Sequence, residues 1–371
     1  MANNGISRET LVALHETDGI GWQTIQKLWE ARRERPVYPG MREGDLRDCG
    51  LSLKQAAAVA ASLREECVEA GRARRERDGI GVLTIADKSY PSRLRRTEGS
   101  PQVLYYRGDL SLLSRPAIAI VGTRLATAYG RHVAESFAAA FADRGFTVVS
   151  GLARGIDTCA HRGALDRAGG TIAVLGLPVE QIYPPENRQL YRAIEAKGLL
   201  LSEAPPGTPY HSGMFPSRNR IIAGLSLAVV IAEAPENSGA LITAECAFKA
   251  NRTVYVVPGP VTSPRSRGAM KLLSEGSATI ALAAEDVIAT FARHVEPSPD
   301  ILLQRNSLSS ANDELTEEER TVYELLLDEP RSIDELSADC GIEANRLPSL
   351  LLSMQLKRRI HRLPGSLYGA L

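Results

Sequence analysis

The feature that most constrains this chain is a regular alternation between Ile80 and His294. Apolar runs at Pro116–Val121, Phe146–Val149, Thr171–Leu175, Leu199–Ser202, Leu227–Ala232, Thr253–Val257 and Ala278–Ala281 are separated by amphipathic stretches. Those stretches are Thr127–Arg144, Ile156–Ala168, Asn187–Lys197, Gly239–Ala250 and Gly268–Glu275. Runs that are apolar on every residue suit strands buried on both faces, and strands joined by helices pair in parallel. Residues 78–295 therefore predict an α/β fold, an extended Rossmann-like doubly wound parallel sheet.

The whole chain, 371 residues, is too long for one such unit. Residues 1–77 read as a helical domain, SAM-like or helix-hairpin-helix-like. Leu11, Leu14, Ile25, Leu28 and Trp29 recur at helical spacing around the turn Asp18-Gly19-Ile20-Gly21. Two readings of that turn stand: amides facing a DNA phosphate, or a small packing module. Residues 296–313, rich in Pro, Ser and Asn, read as a linker. Residues 314–371 read as a winged helix: a capping box at Thr316 and Glu319, a turn at Gly341, a helix through Leu347–Leu356, and a hairpin Arg358–Tyr368 turning at Pro364-Gly365.

Charge is informative only when divided by segment. Lys+Arg and Asp+Glu both number 44, a net charge of zero that excludes a globally basic nucleic-acid binder but not a local basic patch. Between Asp313 and Glu343 lie twelve acidic and two basic residues; from Arg346 to Arg362 lie five basic residues and no acidic one. The acidic stretch and the apolar helix Asn345–Leu356 predict that the C-terminal unit contacts protein, with Lys357, Arg358, Arg359 and Arg362 as a secondary basic strip. Five widely spaced cysteines without CxxC and six scattered histidines without HExxH predict no disulfide framework and no metal site. The start MANNGISRETL has neither a basic n-region nor an apolar h-region, and no apolar run reaches spanning length, so a cytoplasmic location is expected.

In an open parallel sheet, ligands bind outside the carboxyl ends of the strands. The sequence places Gly122-Thr123-Arg124, Ser150-Gly151 with Arg154, Phe215 to Arg220, and Ser238-Gly239 at those ends. Small residues at Gly122, Ser150-Gly151 and Ser238-Gly239 predict backbone N–H groups open to an anion, and Arg124, Arg154, Arg218 and Arg220 supply guanidinium forks suited to phosphate. Phe215 among these cations offers a stacking surface of the kind used for single-stranded nucleic acid. GxGxxG and GxxxxGK[ST] are both absent, so neither a dinucleotide cradle nor a Walker-type ATPase is expected, and no cofactor is implied.

A hydrolase acting on a nucleotide or phosphoribosyl compound is the competing reading. Some Rossmann-like hydrolases carry a PGGxGTxxE loop where this chain has Pro235 to Thr243, without the second glycine and with the Glu displaced. Asp157 and His161, four apart on one helix face, are the candidate acid/base pair; the alternative is a dipole-offsetting Asp and a packed His.

The loops taken together resemble the DNA-processing protein A family (DprA/Smf) of bacteria. The resemblance runs through Tyr90-Pro91, LYYRG at 104–108, IVGTR at 120–124, SGLARGIDTCAHRGAL at 150–165, GGTIAVLG at 169–176, Ile182-Tyr183-Pro184, FPSRNRIIAGLS at 215–226, EAPENSGALITA at 233–244 and VPGP at 257–260. It implies a non-enzymatic protein that binds and protects single-stranded DNA during natural transformation and helps load the RecA recombinase, and it implies a homodimer. By the same resemblance Arg124 contacts backbone phosphate, Ser150, Gly151 and Arg154 line the same pocket, and Phe215, Arg218, Asn219 and Arg220 hold bases and phosphates. One departure stands out. Some members carry a lysine just before the FPxRNR block, whereas Pro209 to Met214 contains only His211 as a basic side chain.

Overall fold

The computed structural model describes residues 6–31, 34, 36–211, 213–295, 315–343, 345–357, 359–363 and 366–370. The linker expected at 296–313 and the hairpin turn at Pro364-Gly365 lie outside the described residues.

Five helices come first: α1 (Arg8–His15), α2 (Trp22–Ala31), α3 (Glu43–Asp48), α4 (Leu53–Ser62) and α5 (Glu65–Arg77). Ser7 and Ser52 cap α1 and α4 by accepting the N–H of Thr10 and Gln55, which satisfies donors that the first helical turn leaves unpaired. The apolar residues of these helices, among them Leu11, Leu14, Ile25 and Leu63, are buried in a core continuous with that of the following sheet. Two polar ties add to it: Arg8 Nη2 donates to the Val82 carbonyl at 2.6 Å, and His15 Nδ1 lies 3.2 Å from the Tyr105 hydroxyl. Arg72 and Arg75 on α5 pair with Glu69 and Glu16, each at 2.7 Å, so the arginine cluster there is compensated locally.

Nine strands form one sheet: β1 (Gly81–Thr84), β2 (Val103–Gly108), β3 (Ala117–Gly122), β4 (Thr147–Ser150), β5 (Thr171–Leu175), β6 (Leu199–Ser202), β7 (Ala228–Glu233), β8 (Thr253–Val256) and β9 (Thr279–Ile280), in the order β1-β2-β6-β5-β4-β3-β7-β8-β9. Strands β3 to β9 are parallel, whereas β1–β2 and β2–β6 pair antiparallel. The fully parallel sheet expected from sequence is thus extended by an antiparallel pair at one edge. The connection from β1 to β2 carries only the four-residue helix α6 (Ser92–Arg95).

Covering helices are α7 (Ala128–Asp143), α8 (Ile156–Ala164), α9 (Arg188–Lys197), α10 (Met214–Leu225), α11 (Gly239–Lys249), α12 (Arg267–Ser274) and α13 (Ala284–Phe291). Helix α10 is the second difference: the segment ending in FPSRNR reads as a loop in the sequence but is helical from Met214. Its proline, Pro216, lies in the first turn, where a missing N–H costs no hydrogen bond, and Ile221, Ile222 and Leu225 bury its inner face.

The chain builds from β3 outward through β4, β5 and β6, then returns to add β7 on the other side of β3. The loops that follow β3 and β7 consequently diverge. That is the switch point at which doubly wound sheets open a crevice.

The C-terminal unit comprises α14 (Glu317–Asp328), α15 (Ile333–Cys340) and α16 (Leu347–Leu356) with the hairpin β10 (Ile360–Leu363) and β11 (Leu367–Ala370). Val322, Leu326, Leu336, Leu351, Met354 and Ile360 form its own core, and the Thr316–Glu319 capping box is present. Two carboxylates of its acidic segment, Glu329 and Glu335, meet the sheet unit, the latter accepting from Asn251 Nδ2 at 2.7 Å. Glu329 accepts from Arg96 at 2.5 Å and Arg252 at 3.2 Å, with Arg93 at 3.5 Å and Arg331 at 3.7 Å.

Candidate nucleic-acid interface

A crevice of about 530 Å³ opens at the switch point between β3 and β7. Its walls are Gly122, Thr123 and Arg124 after β3, Phe215, Arg218 and Asn219 on α10, and Ser238 and Gly239 at the start of α11. Eight of the residues expected from sequence are therefore brought together. Gly151 and Arg154 line an adjoining niche with Arg124 and Phe215, Arg220 lines a neighbouring cleft, and Ser150 lies beneath the site, its hydroxyl donating to the Ile120 carbonyl at 2.6 Å.

The loop between β4 and α8 explains why the sequence has Asp157 and His161. Asp157 Oδ2 accepts the N–H of Gly151 at 3.1 Å and of Ala153 at 3.3 Å. His161 Nε2 accepts the N–H of Leu152 at 3.2 Å, while Nδ1–H donates to Thr171 Oγ1 at 2.7 Å, and that hydroxyl donates onward to the Val148 carbonyl. Both residues are buried, at 6% and 0% exposure. Burial, with the Arg218 charge adding to it, pulls the His161 imidazole down to about 3, so it stays neutral; burial pushes the Asp157 carboxyl up, opposed by Arg218 and the two amides. These two side chains hold Leu152 in a left-handed conformation (φ 54°) and the loop in place. The amides expected to be open at Gly151 are consequently occupied from within. The spacing that suggested an acid/base pair serves backbone positioning, because both groups accept amides of the β4–α8 loop.

Gly155 is required at the end of this loop. It has φ 77°, and a Cβ there would lie 2.7 Å from the Arg124 carbonyl oxygen. The β4–α8 loop can therefore lie directly against the loop that carries Arg124. On the other side, Thr123 N–H donates to the Glu233 carbonyl at 2.7 Å, and the Glu233 carboxylate accepts the N–H of Thr127 at 2.8 Å, beside the Thr127 hydroxyl that caps α7. Gly122 packs against Ile156, 2.5 Å from where its Cβ would stand. Together these contacts fix the turn that presents Arg124.

The four arginines have four different settings. Arg218, 6% exposed, donates to the carbonyls of Gly151 and Val174 and so ties the ends of β4 and β5 to α10. Burial lowers its guanidinium to about 10, opposed by Asp157, which leaves it charged at neutral pH. Arg220 gives Nη2 to both oxygens of Glu203 at 2.7 Å. Arg154 pairs with Glu186 at 2.6 Å, both well exposed, a pair of little energetic weight. Arg124 has no carboxylate partner among the described residues; its guanidinium carbon stands 5.7 Å from the centre of the Phe215 ring.

Phe215 is the centre of an aromatic group that sequence reasoning missed. Tyr183 lies 5.3 Å and Tyr210 6.1 Å from it between ring centroids, and the two tyrosines are 43% and 62% exposed. Gly176 makes room for the Phe215 ring, which approaches within 2.7 Å of the point a Cβ would occupy. The available signal was Tyr183 within Ile182-Tyr183-Pro184 and Tyr210 just upstream of Phe215, but nothing local joins them. On the opposite wall Ser238 caps α11, Gly239 leaves its helix start bare, with nothing within 4 Å of a Cβ position, and Asn219 Nδ2 donates to the Gly239 carbonyl at 3.3 Å. The one carboxylate lining the crevice among the described residues is Asp157, already engaged. No group of three or more His, Cys, Asp or Glu side chains among those residues is arranged to hold a metal, and no helix among them is long and apolar enough to cross a membrane.

Fold and site define a class: a doubly wound sheet protein with a guanidinium free of carboxylates, a bare helix start and three rings at its switch point, and with a C-terminal winged helix. The sequence matches DNA recombination-mediator protein A over residues 81–292 and the DprA winged helix domain over residues 307–366. The chain belongs to the DNA recombination-mediator protein A family. It is 46% identical over 202 residues to Protein Smf of Synechocystis sp., a match covering 53% of this chain and about half, 51%, of that relative. Among solved structures it is similar to DNA processing protein A from Streptococcus pneumoniae (TM-score 0.68, 32% identity, 76% of this chain and 98% of that one). It is also similar to DNA processing protein A from Helicobacter pylori, described for its single-stranded DNA binding mode (TM-score 0.53, 31% identity, 58% of this chain and 97% of that one).

Proposed function

We propose that the switch-point crevice binds single-stranded DNA, with Arg124 on a phosphate and the Tyr183–Phe215–Tyr210 group stacking unpaired bases. The observation that carries this reading is the exposed ring group standing directly beneath an uncompensated guanidinium. Rings stack on any base face, which gives affinity without sequence preference, and a duplex offers its base faces only at its ends. The single-stranded DNA binding described for the Helicobacter pylori relative supports single-stranded DNA as the ligand. Gly122, Thr123, Asn219, Ser238 and Gly239 shape the groove, Ser150, Gly151 and Arg218 brace it, and Arg154 and Arg220 lie at its margins.

The protein acts by holding and shielding the strand, without chemistry. Asp157, the lining carboxylate, holds two loop amides through Oδ2, which favours a structural role for it over that of a hydrolytic base. Family membership further supports a role in natural transformation in which a homodimer delivers the strand to the RecA recombinase in the cytoplasm. Fluorescence anisotropy with labelled oligo-dT and a duplex of equal length tests the core of the reading. Single-strand affinity is expected to exceed duplex affinity at least about tenfold and to fall steeply with salt. Equal binding of both forms overturns it.

A further inference from the structure

We propose that the strand continues past Phe215 into the cleft between the N-terminal helices and the segment that precedes α10, where Trp22 stacks a further base. This rests on the reading of the crevice as a single-stranded DNA site. The cleft measures about 1030 Å³ and adjoins the crevice, with Arg218 lining both, and the Phe215 niche, with Gly176 lining both. Its far wall is the turn Gly19-Ile20-Gly21 and Trp22, the first residue of α2. This is the motif whose two sequence readings were phosphate contact or plain packing.

The cleft suits a base better than a phosphate. Trp22 is 45% exposed, whereas Trp29 on the same helix packs against the core. The tip of the Trp22 ring and Arg220 Nε approach one point at Gly99, to 4.0 and 3.7 Å, so indole and guanidinium stand side by side on the wall. The Arg220 charge is answered by Glu203, and Asp18 adds a further carboxylate to the lining, so the wall has no net positive charge to draw in a phosphate. An exposed indole beside a guanidinium is the equipment for a base, which brings a ring face to the one and acceptor atoms to the other. The helices that carry Trp22 share their core with the sheet, so the cleft is built before any strand arrives.

The test uses full-length protein and an oligo-dT of about 25 nucleotides, longer than the ~4–16 that a single stacking site spans. 5-Bromodeoxyuridine is placed at successive positions and cross-linked by ultraviolet light, and the adducts are mapped by mass spectrometry. Cross-linking to Trp22 from positions toward one end is expected, together with quenching of tryptophan emission and about tenfold weaker binding by Trp22→Leu. Adducts confined to Tyr183, Tyr210 and Phe215, with Trp22→Leu binding as wild type, overturn the extension while leaving the crevice reading intact. If wild type fails to bind the oligonucleotide at all, the crevice reading fails and the extension falls with it. Should Trp22→Leu not fold, the wild-type cross-link map alone decides.

Discussion

Arg124 and Phe215 meet across the switch point, the guanidinium carbon 5.7 Å from the ring centre, although one sits on the loop after β3 and the other in the first turn of α10. Neither element alone places charge over a ring. The parallel order of β3, β4 and β5 does, because Arg218 fastens α10 to the carbonyl ends of β4 and β5 while Gly155 lets the neighbouring loop close on Arg124. The phosphate contact and the stacking surface are therefore one assembly.

Gly155→Ala tests the mechanical half of that statement. A methyl group at φ 77° presses on the carbonyls of Thr123 and Arg124. The substitution is expected to destabilise the protein by about 1–3 kcal/mol and to weaken oligo-dT binding as Arg124 is displaced. Thermal unfolding and anisotropy measure the two effects.

The buried histidine makes stability depend on pH with a defined sign. His161 falls from an ordinary 6.5 to about 3 on folding. Below pH 6.5 the unfolded chain takes up the proton that the folded one refuses, so stability is full above 6.5 and is lost progressively as pH falls toward 3. At pH 5 this single group costs about 2 kcal/mol relative to pH 7. Urea midpoints at the two pH values should show the loss, and His161→Asn should reduce the pH dependence while lowering stability at pH 7.

Glu329 is the carboxylate that holds the winged helix against the sheet unit. Glu329→Ala leaves the buried Arg252 and Arg331 and the half-buried Arg93 without it, a change expected to cost about 3–5 kcal/mol and to release the C-terminal unit. A larger radius of gyration in solution scattering is the expected readout; an unchanged radius together with unchanged stability contradicts the prediction.

Strands β3 to β8 are legible in the sequence because burial on both faces leaves them uninterrupted apolar runs. The hairpin β1–β2 is not: it lies at the sheet edge, where Tyr106 and Arg107 are only partly buried and the pattern breaks. Helix α10 hides behind Pro216 and the polar Ser217 to Arg220, which separate the buried Met214 from the apolar run that begins at Ile221. Asp157 and His161 are visible as a pair on one helical face, but spacing cannot tell whether that face meets solvent or backbone. The zero net charge becomes intelligible only with the structure. Glu329 of the winged helix answers Arg93, Arg96 and Arg252 of the sheet unit, while on the rim Arg154 and Arg220 are paired with carboxylates, Arg218 is spent on backbone carbonyls, and Arg124 has no carboxylate partner among the described residues.

The most direct test of the account is a salt titration of oligo-dT binding by wild type and Arg124→Ala. A guanidinium that neutralises one phosphate of a single strand contributes about 0.7 to the slope of log affinity against log salt. The account predicts about tenfold weaker binding by the variant at low salt, with a slope smaller by about that amount. Unchanged affinity and slope would place the strand elsewhere on the protein and contradict it.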